Sequence, residues 1–142
     1  MPARKTMPAE ATHVSLNQIG QIAITVSDLA RSQQFYEKTL GMKLLFNAGN
    51  MAFFDCGSVR LMLGPPEPGK SVHPSSTILY FKVPDIHEAH AALFAAGVAF
   101  IQAPQLVARM RDHELWLAFF RDPDGHPLAL MSEMPLNPAP GA

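Results

Sequence analysis

Two stretches of the chain carry the same sequence patterns in the same order, and this repeat is the strongest constraint on the fold. Residues 26–29 (VSDL) match residues 83–86 (VPDI) at an offset of 57. Residues 52–54 (AFF) match residues 118–120 (AFF) at an offset of 66. Two further matches keep the order, Gly41 with Gly97 and 61–63 (LML) with 128–130 (LAL). Because order and spacing agree, we predict two similar folding units.

Each unit is predicted to form one strand, one helix and then three strands. Ile22, Ile24 and Val26 alternate with small or polar residues, which is the period of a strand with one apolar face. Ser27 or Asp28 can cap the following helix, because a short side-chain oxygen accepts hydrogen bonds from free N–H groups. The second unit has an aspartate at the matching position.

Apolar runs separated by turns predict the remaining strands. They are expected at 42–46, 51–55, 59–63, 77–83, 98–101, 115–120 and 128–131. Residues 102–112 are predicted to form a loop or an irregular strand. The fold class is therefore predicted as α+β.

Composition sets the domain boundaries and limits the partners. We predict a flexible arm 1–16, one domain 17–134 of two modules (17–64 and 77–133) with a Pro- and Gly-rich linker 65–76, and a flexible tail 135–142. The net charge of -1 without a basic cluster argues against nucleic acid as a partner. A single cysteine, no secretory signal and no apolar run of membrane-spanning length predict a cytoplasmic protein without a membrane partner.

Two motifs carry a resemblance to a known family. The run D-L-x-x-S-x-x-F-Y-x-x-x-L-G-M at 28–42 and the D-P-D-G turn at 122–125 resemble the vicinal oxygen chelate superfamily. That superfamily includes glyoxalase I, extradiol dioxygenases, fosfomycin resistance enzymes and bleomycin resistance proteins. The resemblance covers roughly residues 19–133, and it implies two βαβββ repeats forming a curved mixed sheet around a central cleft. It also implies a homodimer.

The same resemblance implies where a divalent metal would be held. Its four ligand positions correspond to Gln21, Met62, Ile78 and Ala129 of this chain. Isoleucine and alanine have no lone pair to donate, and a thioether is a poor ligand for hard divalent ions. Since a catalytic metal normally has about three protein ligands, we predict no metal and no cofactor.

Other side chains are candidates for lining the cleft or for chemistry. Tyr80 and Trp116 could stack on a ligand or pack in the core, and Met131 adds an apolar wall. His113, with acidic neighbours, could act as a general base or could simply be a polar residue at a strand entrance. The H-E-A-H run at 87–90 lacks the H-E-x-x-H spacing of a zinc motif. No catalytic residue is assigned.

Three hypotheses about function follow. The first is binding of a small organic ligand by Gln21, Met62, Ile78, Tyr80, His113, Trp116, Ala129 and Met131, with the metal site lost. The second is a metal-dependent lyase, isomerase or dioxygenase whose ligands lie elsewhere. The third is a homodimer in which the cleft is mainly a packing surface.

Overall fold

The structure is a computed structural model that describes residues 13–136. Most of the predicted arm (1–12) and tail (137–142) lies outside the described residues. Residues 13–16 are exposed and have no regular secondary structure, whereas Pro135 is the last residue of a strand.

The order of helices and strands confirms the predicted repeat. The first module consists of β1 (Gln21–Thr25), α1 (Leu29–Gln34), a π-helical segment (Phe35–Thr39), β2 (Lys43–Ala48), β3 (Met51–Cys56) and β4 (Val59–Gly64). The second module consists of β5 (Leu79–Lys82), α2 (Ile86–Ala95), β6 (Ala99–Arg109), β7 (His113–Arg121) and β8 (Pro127–Pro135). No helix within residues 13–136 is long and apolar enough to cross a bilayer.

The strands form two four-stranded mixed sheets, one per module. The strand order is β1-β4-β3-β2 in the first sheet and β5-β8-β7-β6 in the second, so the two sheets have equivalent topology. The pairs β1–β4 and β5–β8 are parallel, and the other pairs are antiparallel. The α+β class and the βαβββ repeat are therefore confirmed.

The first helical region is one residue longer than the second, and a π-helical segment accommodates the extra residue. Asp28 caps α1 by accepting a hydrogen bond from the Arg31 backbone N–H. The backbone N–H of Leu40 then donates to the carbonyl of Phe35, five residues earlier, at 2.9 Å. Gly41 ends the region at a φ of 77°, which side chains disfavour. An insertion absorbed as one wide turn keeps the flanking strands in register.

Residues 102–109, predicted as a loop or irregular strand, belong to β6. This strand pairs with β7 through three register shifts, and such bulges break the alternation by which a strand is recognised in a sequence. The first shift, between Phe100 and Gln102, repeats the shift between Leu44 and Phe46 in the first module.

One hydrophobic core spans both modules. Each sheet contributes one face to it, here called the inner face: Ile22, Ile24, Phe54, Leu61 and Leu63 in the first sheet, and Leu79, Phe81, Phe120, Leu128 and Leu130 in the second. Tyr36 and Ile86, from the two helical regions, are fully buried in the same cluster. Burying a side chain of this size stabilises the fold by roughly 1.5–3 kcal/mol.

The D-P-D-G turn of the second module is fastened to the start of α1 in the first. The Asp124 carboxylate accepts hydrogen bonds from the backbone N–H and hydroxyl of Ser27 and from the Arg31 guanidinium. Its side chain is only 6% exposed. Asp124 therefore adds a negative charge from the other module at a helix N-terminus, where negative charge is stabilising.

His126 closes the same junction from the other side. Its Nε2 lies 2.7 Å from the backbone carbonyl of Thr25, and its Nδ1 accepts from the Ser75 N–H at 2.9 Å. The ring thus ties the linker and the start of β8 to the end of β1. His126 is only 5% exposed. Its burial and its two contacts indicate a structural role.

Tyr36 and Asp122 form the buried contact of this junction. The Tyr36 hydroxyl donates to Asp122 Oδ2 at 2.8 Å, while Oδ1 accepts from the backbone N–H groups of Asp124 and His126. Replacing Tyr36 by Phe removes one donor from a buried carboxylate. We expect the free energy of unfolding to fall by about 1–3 kcal/mol, measured by urea denaturation. The matched change Tyr80→Phe removes an exposed hydroxyl and should leave stability unchanged; equal losses would contradict this assignment.

The wild type and the Tyr36→Phe variant also give a test at alkaline pH. Burial, and then the Asp122 carboxylate, raise the pKa of Tyr36 well above its ordinary value of 10.0. At pH values between the ordinary pKa and the raised pKa, Tyr36 ionises only in the unfolded chain. The free energy of unfolding of the wild type therefore decreases as pH rises through this range. Phenylalanine cannot ionise, and the difference between wild type and Tyr36→Phe should therefore shrink as pH rises. A difference that grows would contradict the burial of the hydroxyl.

Candidate functional site

The face of the first sheet that points away from the core carries two of the predicted site residues. Strand register aligns Gln21 with Arg60, and Ala23 with Met62, across β1 and β4. The next strand, β3, aligns Phe53 with Met62. We call this surface the first outer face.

Arg60 is held in position on this face by two neighbours. Its Nε donates to Gln21 Oε1 at 2.8 Å, and its guanidinium carbon lies 5.4 Å from the centroid of the Phe53 ring. The Gln21 amide nitrogen in turn lies 4.0 Å from the Met62 sulfur. Both the oxygen and the nitrogen of the Gln21 amide thus contact a neighbouring side chain.

A stacked pair of phenylalanines continues the first outer face. The rings of Phe46 and Phe53 are 4.6 Å apart and inclined by 19°. Phe53 is buried beneath its neighbours, but Phe46 exposes 46% of its surface. An aromatic surface is therefore open beside the Arg60 guanidinium.

The corresponding face of the second sheet carries three more predicted residues. Register aligns Tyr80 with Ala129, and Ala129 with Phe119; Met131 lies one step further along β8. The rings of Tyr80 and Phe119 meet edge to face at 5.9 Å, and Tyr80 is 46% exposed. We call this surface the second outer face. Ile78 directly precedes β5, two residues before Tyr80.

A charged cluster lies at one end of the second outer face. Lys82 and Glu133 form an ion pair at 2.9 Å, and the hydrogen bond from Lys82 lowers the pKa of the Glu133 carboxyl. His113 Nδ1 lies 2.8 Å from Asp112 Oδ1, and the hydrogen bond with the ring lowers the pKa of Asp112. The Nε2 atom of His113 lies 4.0 Å from Glu133. His113 thus has the carboxylate neighbour predicted from the sequence.

Trp116 lies on the other side of the second sheet. It pairs in register with Ser132 on the inner face, and its ring meets the His87 ring of α2 at 4.9 Å. Its indole N–H donates to Glu114, and hydrogen bonds from Arg109 and then Trp116 lower the pKa of the Glu114 carboxyl. The structure does not bring Trp116 together with Tyr80. Tyr80 contacts Phe119, and Trp116 lies three residues before Phe119 on the same strand, so its side chain points to the opposite face of the sheet.

The predicted residues therefore divide between two surfaces. Gln21 and Met62 lie in contact on the first outer face, whereas Ala129, Tyr80 and Met131 lie together on the second. Within residues 13–136, no hydrogen bond, ion pair or aromatic pair joins side chains of the two outer faces. Neither outer face carries all of the predicted residues.

The donor atoms at the four positions implied by the resemblance do not fit a divalent metal. The only oxygen donor, on Gln21, already accepts from a guanidinium, whose positive charge opposes a cation. Met62 offers a soft thioether, and Ile78 and Ala129 offer no donor. In the part of the chain that the structure describes, no group of three His, Cys, Asp or Glu is arranged to hold a metal.

The other polar candidates have packing roles. His90 lies against the Phe100 ring at 4.4 Å, as His87 lies against Trp116. Burial, and then the charge of Asp55, raise the pKa of the Cys56 thiol, which disfavours the nucleophilic thiolate.

Sequence reasoning missed three phenylalanines and one arginine of the outer faces. Phe46, Phe53, Arg60 and Phe119 all belong to these surfaces. A signal was present for Phe53: a two-residue turn at Gly57 and Ser58 fixes the register of β3 and β4, which aligns Phe53 with Met62.

Two cavities lie at the module junction. A cavity of about 300 Å³ is bordered by β1, the linker and β8, including Thr25, His73 and His126. A more apolar cavity of about 340 Å³ lies between the end of the first helical region and α2, including Met42, Cys56 and Leu93. Neither cavity is lined by Met62 or Ala129.

Comparisons with known proteins agree with this architecture. The chain is similar to Metallothiol transferase FosB from Bacillus licheniformis, with 30% identity over 79% of this chain and 73% of the relative. It is also similar to Metallothiol transferase FosB from Lysinibacillus sphaericus, with 27% identity over 80% of each chain. The crystal structure of a superfamily member from Sphaerobacter thermophilus matches with a TM-score of 0.67, 25% identity, and coverage of 83% of this chain and 98% of that chain.

The family model described as Glyoxalase/Bleomycin resistance protein/Dioxygenase superfamily matches residues 18–130, which include both modules and all four implied metal positions. The chain belongs to the Glyoxalase/Bleomycin resistance protein/Dioxygenase superfamily.

Proposed function

We propose that this protein binds a small organic molecule on its two outer faces and that its own side chains hold no divalent metal there. The observation that carries the proposal is a pair of aromatic rings on each outer face, with one ring of each pair exposed. Tyr80 and Phe119 lie on either side of Ala129, and the stacked rings of Phe53 and Phe46 lie beside Met62, with Phe53 next to it. Such surfaces, with a few polar groups, suit organic ligands.

A homodimer would complete the site. The second outer face of one copy, set opposite the first outer face of another, would bring Ala129 and Met62 to one cleft. This assembly also accounts for half-exposed rings such as Phe46 and Tyr80 on a single chain. The single cysteine and the lack of a basic cluster favour a cytoplasmic protein without nucleic acid as a partner.

The main alternative is a metal-dependent reaction. It is favoured by the curated relatives, which are named metallothiol transferases. Those two relatives are named as transferases, a class that differs from the lyases, isomerases and dioxygenases expected from the resemblance. Two features of this chain disfavour a metal. The amide oxygen of Gln21 already accepts a hydrogen bond from Arg60, and the side chains of Ile78 and Ala129 have no donor atom.

Metal content separates the two functions. We expect protein purified without added metal to contain far less than one Fe, Mn, Ni or Zn per chain, measured by mass spectrometry of the elements. Dialysis against EDTA should leave the melting temperature unchanged. Near-stoichiometric metal that is lost in Gln21→Ala would establish the alternative instead.

Ligand binding can be tested with phenylnaphthylamine, an uncharged fluorescent probe. Replacing Tyr80 by Ala removes an exposed ring of the second outer face, and we expect binding to weaken about tenfold because aromatic contacts contribute about 0.5–1.5 kcal/mol beyond buried area. Phe94→Ala is the matched control, since Phe94 is a 66% exposed aromatic on α2. Equal effects of the two changes on the fluorescence titration would contradict the proposed site.

Assembly has its own measurement. A chain of 15.5 kDa should elute with twice that mass in light scattering after gel filtration. On dilution, phenylnaphthylamine binding should be lost in parallel with dissociation, because each face alone is half a site. A monomer that binds the probe at full strength would exclude the dimeric cleft.

A further inference from the structure

The first outer face contains a guanidinium that two neighbours hold in place. Gln21 accepts from Nε of Arg60, and the guanidinium carbon lies over the Phe53 ring, 5.4 Å from its centroid. An arginine held by two neighbours loses less side-chain entropy when it binds a third group.

The opposite edge of the same guanidinium is available. Within residues 13–136, the terminal nitrogens of Arg60 make no hydrogen bond, and Arg60 takes part in none of the ion pairs. The two N–H groups of that edge match the spacing of a carboxylate and bind it in a bidentate manner.

Apolar side chains lie on the same face as Arg60. Phe46 stacks on Phe53, and the Met62 side chain lies between Gln21 and Phe53 on the neighbouring strands. A ligand whose carboxylate met Arg60 would therefore set its body against an aromatic ring and a thioether, both of which favour aromatic contacts.

Two other charged residues lie in register with Arg60 on the neighbouring strands. Asp55 is the register partner of Arg60, and Lys43 is the register partner of Asp55. Asp55 does not form an ion pair with Arg60, but its negative charge opposes a bound anion. Removing that charge should therefore help binding, which provides a control of opposite sign.

We propose that Arg60 recognises the carboxylate of an aromatic organic acid and that Phe46 and Met62 contact its ring. This rests on the proposed function, because it names the ligand class that the first outer face takes. It assigns Arg60 a binding role that the four metal positions do not include.

The test compares benzoate with benzamide, its uncharged analogue, in NMR titrations of the full chain. Benzoate should shift the Nε–H signal of Arg60 and the backbone amide signals of Phe53 and Met62. We expect it to bind at least about tenfold more tightly than benzamide. Equal binding of the two probes, or shifts confined to other parts of the chain, overturns the proposal.

Four variants assign the effect to the guanidinium. Arg60→Gln should abolish the preference for benzoate, and Arg60→Lys should weaken benzoate binding because a point charge lacks the bidentate edge. Asp55→Asn should strengthen it. Arg109→Gln, which removes another exposed strand arginine, should leave it unchanged. Benzoate binding that persists in Arg60→Gln overturns the proposal.

These outcomes are separable from the proposed function. Phenylnaphthylamine carries no charge, so its binding to the wild-type chain reports small-molecule binding without a carboxylate contact. If benzoate fails to bind while phenylnaphthylamine binds normally, the acid class is wrong and small-molecule binding stands. If neither probe binds, both proposals fall.

Discussion

Each four-stranded sheet can bury only one of its faces in the shared core, and the rest of the structure depends on this constraint. Alternation along β4 directs Leu61 and Leu63 inward, which leaves Met62 on the opposite side. The same alternation in β8 buries Leu128 and Leu130 and assigns Ala129 to the outer face. The burial that holds the two modules together thus also leaves each sheet with an outer face.

The way the modules meet is fixed by polar contacts at the edge of that core. A carboxylate from the second module lies at the helix start of the first, and a buried tyrosine donates to another carboxylate of the same turn. Such contacts have directions, whereas hydrophobic packing does not. The D-P-D-G turn therefore orients one module relative to the other, and the apolar cluster provides most of the stabilisation.

Within the superfamily fold, the outer faces carry side chains that do not suit a metal. At two of the metal positions implied by the resemblance, Gln21 engages Arg60, and Ala129 lies between two rings. The chemistry that these surfaces offer is hydrogen bonding, aromatic contact and one oriented positive charge. The fold establishes the geometry of such a cleft, and the residues decide what it can bind.

The sequence alone determined the repeat, the order of the strands and helices, and a cap at Ser27 or Asp28 for the first helix. These features follow from local periodicity and from short-range hydrogen bonds, which a single sequence contains. Only the tertiary structure decided that Trp116 faces α2, that residues 102–109 extend a bulged strand, and that Gln21 holds Arg60 above Phe53. Those outcomes depend on strand register and on contacts between residues far apart in the chain, and no local pattern encodes them.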